Sequence, residues 1–297
     1  MPDILVTGAA GRSGAAVARE FARRGVPVRA LVRDRATVAP LAALPAVEVV
    51  QGDMLRPETL GPALDGVRRV LMISGARQRL VETQCAFVDA AKAAGVPHVV
   101  KFSGAESGVG FDPQAFRGTR AHEEVERYLE RSGLAWTHLR PSQFMQNYVV
   151  EHARSVAAEG AMYVPMGDAA LAPIDIEDVA KVAFAVLRAD GQEGVRHDMT
   201  GPEALTMHDV AGRIAAAIGR PVRYVDVTPG EYRRRLAAAG VPADFLEILA
   251  DAYAERRKRP VSRLALGAHE RFGVAPTPFA AFARRNAGAF RGEAAAA

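Results

Sequence analysis

The chain has 297 residues, 49% of them hydrophobic, which is ample for one large or two small buried cores, and no run approaches the roughly 20 apolar residues of a membrane span. Its 38 basic and 34 acidic residues leave a formal charge of +4, and the densest basic runs, 233–235 and 256–259, fall in helical stretches without interleaved aromatics, so neither nucleic acid nor a membrane is expected as a partner. One cysteine, Cys85, excludes an internal disulfide and a cysteine-rich metal site, and its neighbours Phe87 and Val88 predict simple packing.

The chain enters a strand almost at once, without a charged and then apolar leader, so a cytoplasmic location is expected. Ile4 to Gly14 reads ILVTGAAGRSG: an apolar strand, three glycines spaced G-x-x-G-x-x-G, then a helix over 13–24. Strand, spacing and helix together predict a mononucleotide-binding turn. Gly8 permits the sharp exit from the strand, Gly11 lets backbone N–H groups approach a pyrophosphate, and Gly14 lets the helix pack close to the sheet. The expected phosphate cradle comprises Gly8, Ala10, Gly11, Arg12, Ser13 and Gly14, facing the unpaired N–H groups of the helix.

Apolar β-type runs then alternate with helical periodicity, the pattern of a parallel sheet with crossover helices. Strands are predicted at 3–7, 26–32, 46–51, 67–73, 97–103 and 135–140, and helices near 13–24, 35–43, 57–64, 79–94 and 119–132. Gly25 and Gly95 follow two of these helices as caps, and Thr119 is the expected N-cap of the fifth, with Glu123 and Glu124 in its first turn. After Arg140-Pro141, helices are expected near 143–158, 177–188, 206–218, 229–239, 243–258 and 277–290, with short strands near 162–164, 171–175, 195–199 and 222–226. The predicted organisation is α/β: a doubly wound parallel sheet over 1–141 and a smaller α+β C-terminal substrate lobe over 142–297, with the segment 175–200 able to return to the main sheet. The Ala294–Ala297 tail reads as a frayed end.

The second strand ends Ala30-Leu31-Val32-Arg33-Asp34, and the residue just past it meets the adenosine ribose about 20 residues beyond the glycine turn. A carboxylate there accepts from a free 2′-hydroxyl, whereas a guanidinium forks onto a 2′-phosphate. Arg33, with Arg12 as a second cation, therefore predicts NADP(H) in preference to NAD(H). NAD(H) stays open, because a one-residue shift of the strand end would put Asp34 in that place. Asp53, with Met54 beside it, is placed to accept from the adenine amino group or to cap the following helix. Ser74 and Gly75 after the fourth strand and Ser103 after the fifth are small enough to approach the nicotinamide half.

These residues resemble the NmrA-like, atypical branch of the short-chain dehydrogenase/reductase superfamily, close to its bacterial quinone-oxidoreductase-like members. The resemblance rests on Val6-Thr7-Gly8-Ala9-Ala10-Gly11, the Arg33-Asp34 strand end, Gly52-Asp53, Gly133 through Pro141 (GLAWTHLRP), Phe144-Met145-Gln146-Asn147, Pro173 through Ala180 (PIDIEDVA) and Gly201 through Thr206 (GPEALT). It covers most of residues 3–290. It implies a Rossmann-like domain, a small substrate lobe and a nicotinamide cofactor in the cleft between them.

Members of the wider superfamily pair a tyrosine proton donor with a lysine four positions on; here none of the six tyrosines has such a partner, and Gly118 and His122 stand at the two positions. His122, one turn before Glu126, is the candidate to orient the cofactor or donate a proton, against the alternative of a surface histidine on an amphipathic helix. Lys101 is assigned no catalytic part. Phe144, Asn147 and Tyr148 are expected to line the substrate pocket, although core packing competes for Phe144 and Met145. Asp175 and Asp178 read as helix caps, and His152, His197, His208 and His269 lack metal-ligand spacing, so no metal is expected.

The expected function is NAD(P)H-dependent reduction, NADPH preferred, of a small conjugated or carbonyl acceptor such as a quinone, with the proton taken from water. A monomer or homodimer is expected. The alternative is a non-catalytic NAD(P)(H)-binding redox sensor acting through a protein partner, which the missing tyrosine–lysine pair favours. A sugar-nucleotide isomerase or epimerase is disfavoured, because such relatives retain the pair.

Overall fold

The computed structural model describes residues 2–75, 79–104, 116–258 and 261–293; Arg259 of the second basic run and the Ala294–Ala297 tail lie outside these. Its strands are β1 (Ile4–Val6), β2 (Val28–Val32), β3 (Val47–Gln51), β4 (Arg69–Met72), β5 (His98–Phe102), β6 (Ala135–Pro141), β7 (Ala161–Val164), β8 (Val195–Met199) and β9 (Arg223–Asp226). Seven form one parallel sheet in the order β3-β2-β1-β4-β5-β6-β8. The order reverses between β1 and β4, the switch point at which such sheets open a crevice beyond their C-terminal ends. β8 pairs with β6 from Thr137↔Val195 to Pro141↔Met199, so the segment 175–200 does return to the sheet.

Strand alternation explains the layering. Ile4, Val6, Leu71, Val100 and Leu139 pack on one face with α1 (Arg12–Arg23) and α7 (Ile176–Arg188), where the Phe21 and Phe184 rings meet edge-on at 4.8 Å. Leu5, Val70, Met72 and Val99 face the other way, onto α4 (Leu80–Ala93) and α5 (Arg117–Arg131) through Phe87, Val88, Val125 and Leu129. With both faces covered, the central strands are mostly apolar, as a buried parallel sheet requires, with Lys101 on β5 a buried exception.

Proline breaks two of the predicted helices. The 35–43 and 57–64 segments are each a 3-10 turn followed by a single α-turn, α2 (Ala39–Ala42) and α3 (Gly61–Leu64); Pro40 and Pro62, inside the predicted spans, lack the N–H groups that longer helices would need. The strand expected at 171–175 is reduced to isolated bridges at Ala170, Leu171 and Ile174 around Pro173. α5 starts earlier than predicted: Phe116, buried, takes the N-cap position, Thr119 is buried inside the helix, and Glu123 and Glu124 fall beyond the first turn.

The remaining helices are α6 (Gln146–Glu159), α8 (Met207–Ile218), α9 (Pro229–Ala238), α10 (Ala243–Arg257), α11 (Gly267–Phe272), α12 (Phe279–Arg285) and α13 (Ala287–Arg291). α6 begins later than expected because Phe144 runs on as an extended bridge to Ile174. The 277–290 helix divides at Asn286, and α11 has no counterpart in the prediction. A second core, including Met145, Tyr148, Ile214, Phe279, Phe282 and Phe290, packs with the two-stranded parallel β7–β9 sheet. Asp175 caps α7 by accepting from the Glu177 N–H and also pairs with Arg285, while Asp178 accepts from the Thr277 N–H at 2.6 Å. The two acids thus tie the C-terminal helices to the start of α7. Among the described residues, no helix is long and apolar enough to cross a membrane.

Candidate functional site

The glycine turn sits at the switch point. Thr7, fully buried, bridges the ends of β1 and β4: its hydroxyl donates to the Ile73 carbonyl at 2.6 Å and accepts from the Ile73 N–H at 2.8 Å. Gly8 then turns out with φ +60°, and a Cβ there would lie 2.8 Å from the Ile73 oxygen. A Cβ on Gly14 would lie 2.5 Å from the Gly8 oxygen, so α1 presses directly on the turn. Gly11 is the N-cap of α1 and supplies no side-chain acceptor, and no acidic residue stands in the first turn. The first N–H groups of the helix are thereby left to an external anion. Ala10, Gly11 and Arg12 are exposed at this position, and Ser13 is half-buried.

β2 ends at Val32, so Arg33 is the first residue beyond it, and it is exposed. Asp34 is occupied as an N-cap, accepting from the Ala36 N–H at 2.9 Å. Asp53 is half-buried and its Oδ1 accepts from the Leu55 N–H at 3.0 Å within the turn before the 3-10 helix, whose N-cap is Arg56, so Asp53 does not cap that helix; Met54 is buried in the core. Ser74, half-buried, accepts from Gln84 Nε2 at 2.9 Å, and Gly75 is exposed. Ser103 differs from the prediction. It is buried at 2% exposure, hydrogen-bonded through its side chain to Glu126 and through its N–H to the Leu139 carbonyl, because α5 closes over the end of β5.

His122 is neither a surface residue nor in the first turn of α5. It is buried, and its Nδ1 lies 3.1 Å from the Nζ of Lys101, which is completely buried on β5. Burial pushes the Lys101 ammonium down to about 7, against the opposing pull of Glu126. Burial, reinforced by Lys101, drives His122 well below the usual imidazole range. Glu126 is held ionised: desolvation opposes its charge, but Arg140 donates from both Nε, at 3.0 Å, and a terminal nitrogen, and outweighs it. The Lys101–His122 contact is not legible in the sequence, because a lysine in an apolar strand, His98-Val-Val-Lys-Phe102, has no signature of its partner. Its place in such a strand was the available signal, since a buried ammonium requires one.

On the opposite side of the turn, the Arg12 guanidinium reaches Asn147 Oδ1 at 3.5 Å. Phe144 is half-buried with its ring 6.1 Å from that of Phe102. Tyr148 does not line an opening. It is 2% exposed and packs edge-on against Phe279 at 5.2 Å, because helical periodicity turns it inward from Asn147. Cys85 is half-buried beside the α4–α5 core, and burial raises its thiol to about 11. It is therefore protonated at neutral pH, consistent with packing.

The NmrA-like family profile matches residues 2–259. The chain is 33% identical over 288 residues to an NAD(P)H azoreductase of Xenophilus azovorans, covering 97% of this chain and 99% of the relative. It is 34% identical over 294 residues to a (4-alkanoyl-5-oxo-2,5-dihydrofuran-3-yl)methyl phosphate reductase of Streptomyces griseus, covering 98% and 100%. Its fold superimposes on the NADPH complex of an Escherichia coli NADPH-dependent quinone oxidoreductase with a TM-score of 0.85 at 27% identity, covering 95% of this chain and 99% of that one. Glycine turn, sheet order and end-to-end similarity agree, and the chain belongs to the NmrA-like family.

Proposed function

We propose that this protein is an NAD(P)H-dependent reductase, preferring NADPH, that transfers hydride to a small conjugated or carbonyl acceptor such as a quinone. The observation that carries this reading is the bare N-terminus of α1 pressed on a glycine turn where a Cβ at Gly8 or Gly14 would clash, flanked by exposed Arg12 and Arg33. The names of two relatives, an azoreductase and a quinone oxidoreductase, support the acceptor class.

The dinucleotide, when bound, supplies the hydride. Backbone N–H groups between Gly8 and Gly14 hold its diphosphate with Arg12, and Arg33 takes the 2′-phosphate. Asp53, whose Oδ1 is already engaged, offers its second carboxylate oxygen to the adenine. Ser74 and Gly75 border the nicotinamide half. His122 orients the ribose, and Phe144 and Asn147 bound the acceptor pocket. Electron-poor conjugated acceptors draw hydride without a dedicated tyrosine acid, so Gly118 at that position is tolerated.

The sensor reading draws on the same absent tyrosine–lysine pair. NADPH oxidation followed by absorbance, with a panel of quinones, enones and azo compounds, separates the two. Acceptor-dependent turnover is expected; tight NADPH binding without turnover on any acceptor would leave the sensor.

A further inference from the structure

We propose that Lys101 is the positioning residue for His122, donating from Nζ into Nδ1 so that the imidazole carries its proton on Nε2, beside Gly104 at the cleft end of β5. The role assigned to that Nε2–H, a donor to the bound nucleotide, rests on the reductase reading above.

Register and burial put Lys101 in place. On β5 it alternates with Val100 and so shares the face of Val99, under α4 and α5, level with Met72 on β4 and His138 on β6. A lysine in that layer needs a partner, and among the described residues His122 Nδ1 lies within hydrogen-bond distance at 3.1 Å. The charged and titratable groups acting on the pair come from every surrounding element: Glu126 on α5, Arg140 and His138 on β6, and Cys85 on α4. Glu126 favours the ammonium and Arg140 opposes it, and the two are engaged with each other.

An ammonium, the form that Glu126 favours at Lys101, has donors only, whereas a neutral imidazole has one donor and one acceptor nitrogen. A donor aimed at Nδ1 therefore places the imidazole proton on Nε2. That nitrogen lies against Gly104, where any Cβ would collide with it. Gly104, just past the end of the strand that carries Lys101, thus leaves the ring its place.

Ring 15N NMR of the cofactor-free protein, labelled at histidine and assigned with His122→Gln, tests this without turnover. The expected result is a neutral His122 with the proton on Nε2 around neutral pH. Lys101→Met, which keeps an unbranched apolar stem in the buried layer, is expected to yield a mixture of tautomers, and Lys101→Gln, which retains an N–H donor, to restore Nε2–H. By calorimetry, Lys101→Met and His122→Gln are each expected to weaken NADPH binding about tenfold, with the double variant no weaker than either single one. A ring protonated on Nδ1, or one unaffected by Lys101→Met, would overturn the proposal. A wild-type protein that binds no NADPH would instead remove the reductase reading, while the ring measurement on the same sample still decides the role of Lys101.

Discussion

Arg12 and Asn147 meet across 135 residues of sequence: the guanidinium at the start of α1 lies 3.5 Å from the amide oxygen at the start of α6. This contact joins the glycine turn to the segment that opens the second lobe. With the roles proposed above, one arginine would serve both the diphosphate and a pocket residue and so couple the two sites. Arg12→Ala is expected to raise the NADPH Kd about tenfold, the magnitude of one lost charge-assisted hydrogen bond, and Asn147→Ala to raise the acceptor KM more than the cofactor Kd. Fluorescence titration and steady-state kinetics read the two effects; equal changes in both parameters for both variants would contradict the division of labour.

Arg33 follows β2 directly, while Asp34 is committed to capping. Arg33→Ala is expected to lower the ratio of kcat/KM for NADPH over NADH by about tenfold or more, since a guanidinium–phosphate contact contributes roughly 1.5–3 kcal/mol. An unchanged ratio would place the 2′-phosphate elsewhere.

Two glycines at helix starts should respond oppositely to a methyl group. At Gly14 it would meet the Gly8 oxygen at 2.5 Å, whereas at Gly61 nothing lies within 4 Å. Gly14→Ala is expected to cost about 1–3 kcal/mol of stability by forcing backbone apart, and Gly61→Ala to be neutral or slightly stabilising. Urea unfolding of both variants measures the difference, and NADPH binding should be lost only in the first.

Lys101 should leave a pH signature in stability. Its protonation drops from an ordinary value near 10.5 to about 7 on folding, so between those values the unfolded chain holds the extra proton. Stability attributable to this group therefore rises as pH increases from about 7 toward about 10, and falls as pH decreases through the same window. The difference in unfolding free energy between wild type and Lys101→Met is expected to change with pH across that interval. A constant difference would mean that Lys101 is not depressed.

The sequence alone determined the α/β class, the glycine turn, the strand end just before Arg33 and the family, because each is written in local chemistry: alternation of apolar runs, residues without a Cβ at fixed spacing, and the residue following a strand. Nine of the ten predicted strands and the α1, α4, α7, α8, α9 and α10 helices were legible for the same reason. Only the tertiary structure decided that Lys101 and His122 meet, that Ser103 is covered by Glu126, that Tyr148 faces the core and that Arg12 reaches Asn147. Those relationships depend on how α5 and α6 settle on the ends of β5 and β6. Helical periodicity specifies a face but not the depth or the partner it meets, and the energetic demand to pair a buried charge appears only once another element has removed it from water.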